Sequence, residues 1–321
     1  MEQRAVGRTG LRVSDLGLGT MTWGRDTDPL DASIMLTEFL DAGGTLVDTA
    51  AGYSDGGAEA LLGEFLAGGI SRSDVVIATK AGVRTWRSDR AVVDASRGTV
   101  LDSLDASLLR LWTDHVDILL VQSPDPGTPM EETASALRTA VESGRARYVG
   151  VSNHAGWQCA HMAGLLGSDP GLAVVEAEYS LLERGAEREV IPASSTLGFG
   201  VLGWSPLGRG VLTGKYRHST PPDSRAASPH LRSFVEPHLT ERASGIVESV
   251  VRAADGLECQ PLDVALAWAR ARVASAVVGP RTPGQLRAIL ASDVELPPLI
   301  ADALGDVSAP AVGYPERLRN R

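Results

Sequence analysis

The stretch Val116-Asp117-Ile118-Leu119-Leu120-Val121-Gln122 is an apolar run that ends in a polar residue. A strand buried on both faces reads this way: helices cover a parallel sheet on each side, and only its C-terminal end opens onto a pocket. Three other segments share the pattern. They are Leu46-Val47-Asp48-Thr49-Ala50, Val76-Ile77-Ala78-Thr79-Lys80 and Arg147-Tyr148-Val149-Gly150-Val151-Ser152-Asn153. Strands are also expected near residues 15–19, 174–177, 200–204 and 276–278. Amphipathic patterns alternate with these runs, most clearly over 99–112, where Leu101, Leu104, Leu108 and Leu111 recur at helical spacing. Further helices are expected near 30–42, 58–66, 131–143, 241–254, 262–271 and 283–291. Asp41-Ala42-Gly43-Gly44 and Ser143-Gly144 read as helix stops that feed the next strand.

Repeated strand–helix steps of this kind predict an α/β fold, a single-domain (β/α)8 TIM barrel over residues 1–321. Periodicity does not prove closure, so an open doubly wound sheet is the alternative. Arg4-Ala5-Val6 and Leu11-Arg12-Val13, joined by Gly7-Arg8-Thr9-Gly10, read as an N-terminal β-hairpin that closes the barrel's bottom. After the seventh strand, residues 214–240 are rich in Pro, Ser, His and Arg and lack a sustained period. Loops longer than about 15 residues are usually functional or disordered, and this one reads as a substrate-facing lid.

The 321 residues are 43% hydrophobic, enough for a large core, with a formal net charge of -10. That balance disfavours nucleic acid or an anionic membrane as partner, since both reward clustered Lys and Arg. Cys159 and Cys259 are far apart and in no CxxC spacing, so neither a disulfide framework nor a zinc site is suggested. Met1-Glu2-Gln3-Arg4 has no apolar signal core, and no apolar stretch approaches the roughly 20 residues of a membrane helix. A cytoplasmic protein acting on a small molecule is the expectation.

At the strand ends sit Asp48, Lys80 and, just past the first of them, Tyr53. Together these groups can make a phenol acidic enough to donate a proton near neutral pH. Order and spacing of these segments resemble the aldo-keto reductase superfamily over nearly the whole chain. The resemblance rests on Asp48-Thr49-Ala50 with Tyr53, on residues 145–153, on Glu178-Tyr179-Ser180-Leu181-Leu182, and on Gly203-Trp204-Ser205-Pro206-Leu207-Gly208-Arg209-Gly210. It implies a barrel that binds NADPH at its C-terminal face and an oxidoreductase that passes hydride to a carbonyl or a related C=N or C=C bond. Tyr53 would be the proton donor, tuned by Lys80 and Asp48. The resemblance further implies cofactor-binding roles for Gly19, Thr20, Ser152, Asn153, Glu176, Trp204, Ser205, Leu207, Gly210, Gly279, Arg281 and Gln285. Ser152 and Asn153 would hold the nicotinamide carboxamide, Trp204 would stack on the ring, and the Arg281 fork suits a 2′-phosphate.

Two positions depart from the family pattern. Gln122 stands where members usually have His, and its amide donates a hydrogen bond but carries no charge. Glu176 stands where they usually have Gln. A carboxylate accepts from the carboxamide NH2, offers no donor to its oxygen, and when ionised favours the oxidised ring. These departures keep two other readings open: an NADP-binding regulatory subunit without turnover, and non-redox acid/base catalysis in the same pocket. His154 is a possible substitute for the absent His. Trp23, Trp86 and the 214–240 loop are expected to form substrate walls. Gly198-Phe199-Gly200-Val201-Leu202-Gly203 satisfies GxGxxG but leads into Trp204-Ser205-Pro206 instead of a helix, so it is rejected as a dinucleotide fingerprint.

Overall fold

Alternation of side chains along each strand sends one set into a barrel interior and the other outward under the helices. Along Val116–Val121, Ile118 and Leu120 join an interior cluster with Leu46, Ala78, Val174, Leu202 and Val277. Leu119 and Val121 join the larger cluster between strands and helices. Both clusters are apolar, which is why these segments carry continuous hydrophobic runs. The computed structural model describes residues 1–85, 91–222, 224–311, 313–314 and 316–318. Trp86 lies outside the described residues.

In chain order the elements are β1 (Gln3–Ala5), β2 (Arg12–Ser14), β3 (Leu16–Gly19), α1 (Pro29–Asp41), β4 (Leu46–Asp48), α2 (Gly57–Ala67), β5 (Val76–Ala81), β6 (Val83–Thr85) and β7 (Ala91–Val93). There follow α3 (Arg97–Leu111), β8 (Val116–Val121), α4 (Met130–Glu142), β9 (Ala146–Ser152), α5 (Gly156–Leu166), β10 (Val174–Glu178), α6 (Val190–Leu197) and β11 (Gly200–Trp204). The last are α7 (Arg232–Val235), α8 (Glu241–Gly256), α9 (Pro261–Arg270), β12 (Ser275–Val278), α10 (Pro283–Leu290) and α11 (Pro298–Val307). Strands β3, β4, β5, β8, β9, β10, β11 and β12 pair in parallel and close into a barrel, which settles the choice against an open sheet.

The hairpin forms as expected, with Arg4 paired to Val13. Val6, Leu11 and Val13 fill the barrel's N-terminal end as part of the interior cluster. A Cβ on Gly200 would collide with Val6 and the Gly7 backbone, and one on Gly198 with the Arg8 side chain, so these two glycines of the 198–203 run admit the hairpin, not a phosphate. Helix starts follow local chemistry: Asp28 caps α1 by accepting from Leu30 N at 2.8 Å, and Pro29 follows at the first helical position. Four of the described helices escaped the sequence reading, among them the single turn α7 inside the 214–240 loop. α5 contains two glycines and α6 a proline beside Val190 and Ile191, all weak helix formers, and α11 follows a proline pair. Packing of Cys159, Met162 and Leu166 on the barrel holds α5 in place.

Candidate active site

The same alternation places the chemistry. Two residues beyond each interior core position lies the next inward position, now at the C-terminal mouth: Leu46 leads to Asp48, Ala78 to Lys80, Leu120 to Gln122, Val174 to Glu176 and Leu202 to Trp204. Strand register aligns them, with Asp48 beside Ala78, and Glu176 beside Ser152 and Leu202. These side chains share a cleft of about 440 Å³, well within the range of small-molecule sites.

Tyr53 reaches the cleft on a tight turn after β4. Ser54 and Asp55 both take left-handed conformations, at φ 51° and 54°, a cost for residues with a Cβ. The Ser54 hydroxyl donates to the Trp23 carbonyl at 2.7 Å and anchors that turn. Asp48 and Lys80 are each 3% exposed, and Lys80 Nζ donates to Asp48 Oδ1 at 2.5 Å, to the Thr49 carbonyl at 3.1 Å and toward the Tyr53 hydroxyl at 3.5 Å. Glu176, 1% exposed, brings a second carboxylate to within 3.3 Å of the same ammonium. Its Oε2 has no aligned hydrogen-bond partner among the described residues.

One ammonium thus faces two carboxylates in a desolvated pocket, and the Tyr53 phenol is shifted upward, opposite to the expected acidification, with burial as the largest cause. Burial raises the phenol above its ordinary value of 10; Lys80 pulls it down, but Asp48 and Glu176 push it further up. Burial alone would lower Lys80, yet Asp48 and Glu176 hold it above its ordinary value and keep it charged. Asp48 is raised by burial against the pull of Lys80. Burial, with Asp48 adding to it and Lys80 opposing, pushes the Glu176 carboxyl up to about 7.

Gln122 also lines the cleft, and its amide oxygen is buried without a hydrogen-bond partner among the described residues. Asn153, at φ 61°, ties the strand ends together. Its Nδ2 donates to the Gln122 carbonyl at 2.9 Å, and its Oδ1 accepts from Trp204 Nε1 at 3.1 Å. Trp204 lies parallel to Phe234, ring centroids 6.2 Å apart, and Arg209 sits over both rings while pairing with Glu178 at 2.5 Å. Gly19, Ser152, Ser205, Leu207, Gly210, Gly279, Arg281 and Gln285 line the cleft as well. Thr282 caps α10 and Gln285 Oε1 accepts from Arg281 N at 2.8 Å, which fixes this far end.

Three expected site residues are placed elsewhere. Thr20 is fully buried, its N–H and hydroxyl both donating to the Asp48 carbonyl, so it braces Asp48 instead of lining the cleft. Trp23 is 0% exposed and packs edge-on against Phe65; it supports the Tyr53 turn and forms no substrate wall. His154 is buried, with Nδ1 2.8 Å from the Ser152 carbonyl, and burial lowers its pKa. Its backbone carbonyl accepts from the Cys159 thiol, and its side chain is not among those lining the cleft, so it does not replace an imidazole at position 122.

Other residues escaped the sequence reading. From the 214–240 loop, Lys215, Arg225 and Phe234 line the cleft. Arg225 Nη2 donates to the Gly279 carbonyl at 2.5 Å, while its Nε has no hydrogen-bond partner among the described residues. Burial, and then the charge of Arg281, lower its pKa to about 10. A half-buried, incompletely paired guanidinium beside a second one is suited to receive an anion. Only the run of basic residues in an aperiodic loop hinted at this.

The comparisons agree with the geometry. Residues 15–303 match the model of the aldo/keto reductase family. Among similar proteins, the Bacillus subtilis (strain 168) protein named uncharacterized oxidoreductase YrpG is 38% identical, with 96% of each chain covered. A probable voltage-gated potassium channel subunit beta of Oryza sativa subsp. japonica is 32% identical over 99% of this chain and 98% of its own. The aldo-keto reductase YhdN of Bacillus subtilis (strain 168) is 30% identical over 90% of this chain and 88% of its own. With a closed parallel barrel, its polar residues gathered at the C-terminal mouth and a family match spanning most of its length, the chain belongs to the aldo/keto reductase family.

Proposed function

We propose that this chain is an NADPH-dependent oxidoreductase that reduces a carbonyl, or a related C=N or C=C bond, in a small molecule, with Tyr53 as the proton donor. The observation that carries this reading is the Asp48–Lys80–Tyr53 cluster at one end of a cleft whose other end holds Arg225 and Arg281. One end suits proton delivery, and the other suits a phosphate. The residues fit the cofactor: Glu176 Oε2, ion-paired with Lys80 but without a hydrogen bond among the described residues, can accept from an N–H donor, and the Arg225 Nε calls for an acceptor.

Ser152, Asn153 and Glu176 would hold the carboxamide, Trp204 would face the ring, and Ser205, Leu207 and Gly210 would embrace the pyrophosphate. Gly279, Arg281, Gln285 and Arg225 would hold the adenosine phosphate. When bound, the dihydronicotinamide supplies the hydride. Tyr53 would deliver its proton to the developing alkoxide, and Lys80, kept charged by Asp48, would stabilise the phenolate left behind. Gln122 would orient the substrate oxygen by an amide hydrogen bond without relaying a proton.

A second reading, cofactor binding without turnover, draws support from the raised Tyr53 phenol, the missing imidazole and the channel-subunit name carried by three relatives. Non-redox acid/base chemistry by Tyr53, Lys80 and Asp48 is the third. A cytoplasmic location accords with the two unpaired cysteines, and no helix among the described residues is long and apolar enough to cross a membrane. Cofactor fluorescence on titration with NADPH, followed by oxidation with a carbonyl panel, tests all three. Binding with turnover supports reduction, binding without it supports the regulatory reading, and absence of binding leaves the non-redox one.

A further inference from the structure

We propose that Glu176 makes this cleft a selector of the oxidised nicotinamide, because its carboxylate, second to Asp48 at the one Lys80 ammonium, adds a buried negative charge that Lys80 does not fully balance. The inference rests on the dinucleotide reading above and deepens it.

The charge count around Lys80 is the physical basis. Asp48 on β4 takes the closer place, 2.5 Å from the ammonium, and that pair is compensated. Glu176 on β10 stands at 3.3 Å from the same nitrogen, without an aligned hydrogen bond at Oε2. With both carboxylates ionised and Tyr53 neutral, the cluster carries one excess negative charge. Neighbouring elements do not cancel it: β9 contributes the Ser152 hydroxyl, a hydrogen-bond donor to Glu176, and β11 presents Leu202 at the same register. Ser152, Asn153 and Trp204 form the adjoining cleft wall. An oxidised ring placed there is cationic and a reduced ring is neutral, so only the oxidised form gains from the excess charge. The carboxylate also accepts from the amide NH2 of either form, and that contact leaves the ratio unchanged.

The preference is switched by protonation of Glu176. Burial and Asp48 hold this carboxyl up near 7, with Lys80 opposing. Below that pH the group is neutral and the two redox forms are treated alike; above it the charge appears and the oxidised form is favoured.

The test is the dissociation constant of NADP+ and of NADPH at pH 6 and pH 8, measured by protein-fluorescence quenching for the native chain and for Glu176→Gln. Titration of the cofactor's own 2′-phosphate affects both forms and cancels in the ratio. We expect the native preference for NADP+ over NADPH to grow by about tenfold between the two pH values, the size of a partly screened charge interaction. In Glu176→Gln the ratio should be flat with pH. Should that variant not fold, Glu176→Ala, which vacates the position, is measured in its place with the same expectation. A flat native ratio, or an equal rise in native and variant, overturns the role of Glu176 while leaving cofactor binding intact. Failure of both cofactors to bind the native chain overturns the dinucleotide reading and this inference with it.

Discussion

Tyr53 Oη lies 3.5 Å from Lys80 Nζ, at the outer limit of a hydrogen bond, because the ammonium is drawn toward the carboxylate behind it. Its approach to Asp48 is a full 1 Å closer, 2.5 Å against 3.5 Å. The phenol therefore receives only part of the Lys80 charge, while two carboxylates act on it from the same side. The cluster is assembled, with the phenol shifted upward by burial and by both carboxylates against the pull of Lys80.

Replacing Tyr53 by Phe should abolish reduction, a loss of at least about a hundredfold for a general acid, while leaving NADPH affinity nearly unchanged. Only the hydroxyl is removed, and the ring's packing against the core survives. Stopped-flow hydride transfer with an identified substrate, alongside a cofactor titration, checks this. Unchanged transfer and turnover would mean that the proton comes from another group.

Gln122→His should raise reduction of simple aldehydes, since an imidazole offers a directional donor and relays a proton. The pH–rate profile should gain a limb near the ordinary His range that the native chain lacks. A folded, NADPH-binding variant that stays inert toward every carbonyl tested would show that the missing imidazole is not what limits this site. Regulatory binding or non-redox catalysis would then be the better account.

Arg225→Met and Arg281→Ala should each weaken NADPH binding by about tenfold or more while changing NADH binding little, because charge-assisted bonds to the extra phosphate are lost. Calorimetry with both cofactors checks the pair. Arg225 also donates to the Gly279 carbonyl, so its loss should loosen the 214–240 loop as well and raise hydrogen exchange there. Equal affinities of the native chain for NADPH and NADH would overturn both assignments.

Glu176 should also set a pH dependence of stability. Its ordinary value is 4.5 and burial pushes it up to about 7, so between those values the folded chain keeps a proton that the unfolded chain has released. Its contribution to stability therefore falls as pH rises through that window and is fully adverse above it. Glu176→Gln should gain on the native chain by on the order of 1 to 3 kcal/mol between pH 4.5 and pH 8, less what the lost Lys80 contact costs. Urea unfolding of both chains across that range reads the difference. A gap that does not widen with pH would show that the carboxyl titrates normally in the fold.

Most of the architecture was legible in the chain because a parallel barrel strand is buried on both faces and advertises itself as an apolar run with a polar end. Val116–Val121 and Gly200–Trp204 appear in the structure with the bounds their sequences suggest. The period of two then carried Asp48, Lys80, Gln122, Glu176 and Trp204 to one mouth without any knowledge of the fold's details. Three things were settled only by tertiary structure. Closure of the sheet depends on β12 meeting β3 across more than two hundred residues, a pairing no local pattern encodes. The roles of Thr20, Trp23 and His154 turned on which way each side chain packs, and all three point into protein. Above all, the sign of the Tyr53 shift depended on burial and distance: sequence spacing brings an ammonium to the phenol, but only the folded barrel desolvates that phenol, the largest cause of its upward shift, and places Glu176 beside the ammonium as a second carboxylate.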